Sequence, residues 1–220
     1  MAQQRTLLTI GAGPGMGLAT AERFASEGWR VVLAAQNQEK VLQLAESLKA
    51  KKLQATARRV EAGDAADVAA LVKSVHADYG AIDALHYNAA SMRQATILDQ
   101  PPESFASDLT VNIGGALVAI QAVAPLMFQR GEGTILLTGG GYALSPNPDF
   151  LSLSIGKAGI RALAQGLFEE FKAKGVHVAT VTVAAAVKPG SAEAKAVADH
   201  FWAFQTQPRD QWSWEVRYQA

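Results

Sequence analysis

The chain of 220 residues contains no cysteine. Disulfides, thiolate nucleophiles and cysteine-based metal sites are therefore excluded. A surplus of either charge is also missing, since Lys+Arg and Asp+Glu each number 20. No basic excess is present to hold nucleic acid or an anionic membrane surface. No apolar run approaches the roughly 18 residues of a spanning helix, so no membrane segment is expected. The first residues, Met1-Ala2-Gln3-Gln4-Arg5, show no apolar signal region and lead straight into an apolar stretch. A cytoplasmic protein with neither nucleic-acid nor membrane partner is the expectation. The histidines, His76, His86, His177 and His200, do not pair at metal-ligand spacing, so no metal site is expected. His86 and His177 read as core or strand-end residues. Charged residues make up only 18% of the chain against 49% apolar. That balance supplies a large core and fits a protein that hides surface in an oligomer.

What is present is alternation. Strands are predicted at Leu7–Ile10, Arg30–Ala34, Gln54–Arg58, Ala84–Tyr87, Gly133–Leu137, Val176–Val183 and Ser213–Tyr218. Between them lie helical patterns at Met16–Glu27, Glu39–Lys51, Ala65–Tyr79, Pro102–Arg130, Phe150–Lys174 and Ala192–Phe204. The run Val176–Val183 is β-branched and almost continuously apolar, as suits a parallel strand buried on both faces. Helices between such strands imply right-handed crossovers. The expected fold is α/β, a Rossmann-type doubly wound parallel sheet of about seven strands with helices on both faces. Residues 1–220 read as a single dinucleotide-binding domain. In such sheets ligands sit beyond the carboxyl ends of the strands.

The first strand end reads Ile10-Gly11-Ala12-Gly13-Pro14-Gly15-Met16-Gly17. Strand, glycine turn and helix together place free backbone N–H groups at a positive helix end, which suits a pyrophosphate. Met16 stands where the common G-x-G-x-x-G fingerprint has its third glycine; the spacing here is G-x-x-x-G-x-G, from Gly11, Gly15 and Gly17. A plain strand-to-helix connection is the competing reading. After the second strand, Gln36 and Asn37 stand where an acid would bind the ribose of NAD or an Arg the extra phosphate of NADP. With no acid to repel a phosphate, the lean is slightly to NADP over NAD. Capping of the next helix explains Gln36 and Asn37 equally well. After the third strand, Glu61 beside Ala62 reaches toward the adenine, and Asp64 reads as a helix N-cap with Asp67 three residues on. After the fourth come Asn88-Ala89-Ala90, with Asn88 tying the loop to neighbouring backbone.

Over essentially its whole length the chain resembles the short-chain dehydrogenase/reductase family. The resemblance rests on Gly11, Gly15 and Gly17, on Asn88-Ala89-Ala90, on Asn112 in Val111-Asn112-Ile113-Gly114, and on Lys157 in Gly156-Lys157-Ala158. It implies an NAD(P)-dependent oxidoreductase acting on a small carbonyl or alcohol. Lys157 would hold the nicotinamide ribose, and Asn112 a water in a proton relay. Gly13, Met16, Ala184 and Ala186 would complete the cofactor contacts. It also implies a homodimer or homotetramer through the helices near 102–130 and 150–174, with Leu117, Ile120, Val123, Ala124, Leu163 and Leu167 as candidate contacts.

In the family, a Tyr four residues before the Lys supplies the proton and a Ser thirteen residues before that Tyr orients the carbonyl. Here those positions hold Leu153 and Gly140, and the Pro-Gly expected after the sixth strand falls on Val183-Ala184. Three alternatives follow. The protein binds a nucleotide as a sensor, scaffold or inactive subunit. Another group, best Tyr142 on the Gly139-Gly140-Gly141 loop, supplies the proton. Or water does, at a loss of about 10²–10⁴-fold. The segment before the last strand spans only Ser191 to Arg209, which predicts a more open or smaller pocket, and packing is the favoured role of Phe201 and Trp202.

Overall fold

A computed structural model describes residues 4–219 and arranges all seven strands in one parallel sheet, in the order β3-β2-β1-β4-β5-β6-β7. The reading of Met1, Ala2 and Gln3 lies outside the described residues. The strands are β1 (Thr6–Ile10), β2 (Arg30–Ala35), β3 (Ala55–Arg59), β4 (Ala84–Tyr87), β5 (Gly133–Thr138), β6 (Val176–Ala184) and β7 (Glu215–Gln219). The helices are α1 (Met16–Ser26), α2 (Gln38–Ala50), α3 (Ala65–Tyr79), α4 (Pro102–Leu109), α5 (Gly115–Arg130), α6 (Leu151–Ala173) and α7 (Ala192–Thr206). Strand order reverses between β1 and β4, and a cleft opens at the carboxyl ends there, as the doubly wound fold requires.

Side-chain alternation divides the interior in two. Leu7, Val31 and Leu33 pack with Phe24 of α1, Val41 and Leu48 of α2 and Phe201 of α7. Leu8, Ile10, Val32 and Ala34 pack on the other face with Val68 of α3, Val123 of α5 and Ile160 of α6. Residues Val176 to Val183 of β6 are buried throughout, as their continuous apolar run predicts.

The single helix predicted over Pro102–Arg130 is interrupted: a π turn, Thr110–Gly114, separates α4 from α5. The interruption follows from close packing. A Cβ at Gly115 would strike the Tyr87 hydroxyl and the Ala62 carbonyl, and the Tyr87 hydroxyl donates to the Val111 carbonyl at 2.6 Å. By length and composition the segment Pro102–Arg130 could cross a membrane, since an 18-residue stretch within it has a mean hydropathy of 1.8. Here Ala116, Ala119, Ile120, Val123 and Ala124 lie in the core. That burial also corrects the candidate oligomer contacts: Ile120, Val123 and Ala124 pack on this chain's own sheet. Leu117 is exposed, and Leu163 and Leu167 are half-buried. The C-terminal aromatics serve packing. Phe201 lies 4.6 Å from the His86 ring, and Trp202 meets Phe24 edge-on at 5.0 Å.

Candidate nucleotide and substrate site

The glycine turn is shaped by backbone contact. Gly11 has φ +84°, and a Cβ there would collide with Ala89 N and Cα and lie 2.7 Å from the Asn88 carbonyl carbon. A Cβ at Gly17 would sit 3.0 Å from Ala12 Cα and 3.2 Å from Asn88 Nδ2. Asn88 locks the turn by donating from Nδ2 to the Gly11 carbonyl at 2.7 Å, while its Oδ1 accepts from the Thr138 hydroxyl at 3.0 Å. Asn37, Asp64 and Ser191 cap α2, α3 and α7, but no side chain caps α1. Leu18 N donates to the Gly13 carbonyl at 2.9 Å, and the Met16 and Gly17 N–H groups of the first turn are left for an anion. The cradle of Gly11, Ala12 and Gly13 beside this uncapped end fits a pyrophosphate.

A cleft of ≈ 1240 Å³ runs from Gln36, Glu61 and Ala62, past Gly13, Met16 and Asn88-Ala89-Ala90, to Tyr142, Leu153, Lys157, Ala184 and Ala186. Four of the predicted residues do not line it. Gly15 stands apart from the cleft wall, and Gly17 is buried beneath the turn, where it permits close packing. Asn37 is spent on a cap, its side chain accepting from Lys40 N at 2.9 Å. Asn112 is buried at the centre of the π turn. Its Oδ1 accepts from Ser91 N at 2.6 Å and its Nδ2 donates to the Ser91 carbonyl at 3.2 Å. The side chain thus fastens the loop after β4. Gly156 permits this, because a Cβ there would overlap the Asn112 side chain.

At one end of the cleft, Gln36 Nε2 donates to Glu61 Oε2 at 2.7 Å. Glu61 is held in turn by Asp67, whose Oδ2 accepts from Glu61 N at 2.7 Å. The acid that the end of β2 lacks therefore arrives from the end of β3.

At the other end, Lys157 folds across Gly140. A Cβ on Gly140 would lie 3.2–3.5 Å from Lys157 Cγ, Cδ and Cε, so the lysine stem fills that volume. Its Nζ donates to the Thr138 carbonyl at 2.7 Å. Burial pushes its pKa down to about 8, and no carboxylate pairs with it among the described residues. A desolvated ammonium without a counter-ion in a cleft marks a functional site. His86 lies below, buried, and its Nε2 meets the Thr138 hydroxyl at 2.9 Å. Because that hydroxyl is already donating to Asn88, the network assigns the His86 proton to Nε2. Burial, with the Lys157 charge second, pushes His86 down to about 3. Tyr142 lines the cleft on a 3₁₀ turn, Gly141–Ala143; its ring stacks on Phe150 and its hydroxyl accepts from Asn147 Nδ2 at 3.3 Å. Leu153 is buried in the wall.

A group the sequence reading missed surrounds Asp108. This buried carboxylate accepts from Ser91 Oγ at 2.6 Å, Arg93 Nε at 2.9 Å, Gln100 Nε2 at 3.1 Å and Ser152 Oγ at 2.9 Å. Burial pushes Asp108 up, but Arg93, Ser91 and Ser152 hold it below its usual range. The available signal was a lone acid one helical turn before Asn112 on an apolar helix. Among the described residues no group of three or more His, Asp or Glu is arranged to hold a metal.

The sheet order and the glycine cradle at its reversal define a Rossmann-type dinucleotide-binding protein. The family model for short chain dehydrogenases matches residues 5–198. The chain belongs to the short-chain dehydrogenase/reductase family of NAD(P)-dependent oxidoreductases. It is 28% identical over 182 residues to an uncharacterized oxidoreductase of Thermotoga maritima, covering 83% of this chain and 71% of that one. It is 27% identical to a 3-oxoacyl-(acyl-carrier-protein) reductase of Staphylococcus aureus, covering 82% and 74%. A short-chain dehydrogenase structure from Rhodopseudomonas palustris matches with TM-score 0.89 and 26% identity over 98% of both chains. A metagenomic short-chain oxidoreductase, crystallised with NADP, matches in fold with TM-score 0.90 and 24% identity over 100% of both chains.

Proposed function

We propose that this chain is a cytoplasmic NAD(P)-dependent oxidoreductase, one domain over residues 1–220, that interconverts a small carbonyl and alcohol. Leu153 and Gly140 stand where the family's Tyr and Ser would. The observation that carries the reading is the cleft itself, which joins the Gly11 cradle to the unpaired ammonium of Lys157. The dinucleotide supplies the hydride. The turn at Gly11–Gly13 and the start of α1 bind its pyrophosphate, and Lys157 holds a ribose hydroxyl with the N–H groups that Thr138 leaves free. Tyr142 is the proton donor of this proposal, because among the described residues its hydroxyl makes only one bond, and that one as acceptor. The oligomer, a homodimer or homotetramer, would bury exposed Leu117 and Ile155 of α5 and α6.

For the finer choice of cofactor, Gln36 and Asn37 are both engaged, and the Glu61 carboxylate lies where a 2′-phosphate would approach. Among the described residues no cation lines that end of the cleft. The balance supports NAD, against the slight lean of the sequence toward NADP.

A second reading, a nucleotide-binding sensor or scaffold without turnover, is favoured by Leu153, which cannot donate a proton. Titration with NADH and NADPH by tryptophan quenching and calorimetry tests the binding site. A carbonyl panel with wild type and Tyr142→Phe tests the chemistry. Loss of turnover in Tyr142→Phe supports the proton role, and unchanged turnover removes it. Turnover only after Leu153→Tyr with Gly140→Ser would establish the second reading.

A further inference from the structure

We propose that Arg93 anchors a carboxylate on the substrate, so that the molecule reduced or oxidised at Lys157 is a small carboxylic acid bearing a carbonyl or hydroxyl. The inference rests on the oxidoreductase reading and deepens it.

Arg93 lies on the loop after β4 and lines the cleft with Met92, Leu153 and Val187. Its Nε and NH2 pair with Asp108 Oδ2 and Oδ1 at 2.9 and 3.3 Å. This bidentate pair occupies one edge of the guanidinium. NH1 has no partner among the described residues, and the side chain is 40% exposed. The edge formed by NH1 and NH2 is left with parallel N–H bonds, the geometry that matches a carboxylate. The pairing with Asp108 fixes the guanidinium in advance, which lowers the ordering cost of binding.

Asp108 does not cancel the attraction. Its side chain is only 3% exposed, and Ser91, Gln100 and Ser152 donate to it besides Arg93. Near the reacting end the cleft is lined by two cations, Arg93 and Lys157, and one anion, Asp108. The other lining carboxylate, Glu61, is at the far end with Gln36. A net positive potential is therefore focused where substrate would sit. Ser152 connects the two cations, since it binds Asp108 and is the immediate neighbour of Leu153, one helical turn before Lys157. Met92, Leu153 and Val187 give the same cleft an apolar wall, which suits a short aliphatic body.

The test uses the full chain saturated with NAD⁺ and two probes of matched shape, isobutyrate and isobutyramide, titrated by calorimetry. Wild type is expected to bind the acid at least tenfold tighter than the amide. Arg93→Gln should erase that difference while leaving NAD⁺ affinity unchanged, and Arg93→Lys should retain only part of it. Equal binding of acid and amide by wild type would overturn the proposal, as would a preference that survives in Arg93→Gln. If Arg93→Gln fails to fold, the decision falls to wild type and Arg93→Lys, where an undiminished preference counts against the fork. If neither NAD⁺ nor NADP⁺ binds, the oxidoreductase reading fails, and the same titration of the free protein still decides whether Arg93 takes carboxylates.

Discussion

At the Gly11 end of the cleft the wall is backbone against backbone, whereas at the Lys157 end it is a glycine facing a flexible side chain. Gly11 has φ +84° and meets the main chain of Asn88 and Ala89; Gly140 meets the methylenes of Lys157. The first contact cannot relax without moving β4, and the second relaxes by rotating a lysine. The binding end is thereby rigid and the reacting end adjustable. The largest expected effect tests the rigid end. Gly11→Ala combines a left-handed φ with a main-chain collision, so it should cost at least about 2–4 kcal/mol in urea unfolding. It should also abolish dinucleotide binding. A variant that unfolds like wild type would break the comparison at once.

The two ends share a floor. His86 donates to Thr138, Thr138 to Asn88, and Asn88 to the Gly11 carbonyl, while the Thr138 carbonyl receives Lys157. His86 is neutral in the fold down to about pH 3, whereas an unfolded histidine takes a proton near 6.5. Between those values the unfolded state binds more protons, so this contribution to stability is complete above 6.5 and is lost as pH falls toward 3. The slope from one such group is at most about 1.4 kcal/mol per pH unit. His86→Asn should flatten the acid limb of a stability–pH curve between pH 6 and 4. It should not level it, because burial also lowers His177. An unaltered limb would show that the floor does not carry the titration.

Legibility in the sequence follows the same division. The strands, the doubly wound parallel sheet with helices on both faces and the glycine cradle were readable because apolar periodicity and a backbone φ leave marks in residue type. The π turn that interrupts the helix over Pro102–Arg130 was not legible, because it depends on Tyr87 of β4 and Ala62 in the turn after β3 approaching Gly115. Asn112 was noticed, but its engagement with Ser91 was not, and the Asp108 group was missed entirely. Apart from Gln100, eight residues before Asp108, the partners in these contacts are 15 or more residues away, at spacings no local pattern reports. Asn37 and Asp64 were legible as caps since capping is a three-residue pattern.

A smaller effect separates cofactors at the Gly11 end. NADH should bind about tenfold tighter than NADPH, the scale of one charge repulsion in a partly solvated site. Glu61→Gln keeps a partner for Gln36 and removes the charge, so it should narrow the gap by improving NADPH alone. Calorimetric dissociation constants for both nucleotides with both proteins provide the measurement. A tighter NADPH complex in wild type would place the selecting group elsewhere on the cleft.

The smallest expected effect repeats the first substitution at the other end. Gly140→Ala adds the same methyl group, but its neighbours at 3.2–3.5 Å are the free-turning methylenes of Lys157 rather than main chain. Gly140 has φ −161°, an extended conformation open to alanine. Among the described residues the lysine ammonium is held by the Thr138 carbonyl alone, and rotation of its stem keeps the ammonium within the cleft. The variant should therefore unfold within about 0.5 kcal/mol of wild type, or roughly 1–2 °C in Tm. Nucleotide binding should persist. A loss as large as that of Gly11→Ala would mean that Lys157 is pinned rather than flexible, and that both ends of the cleft are equally rigid.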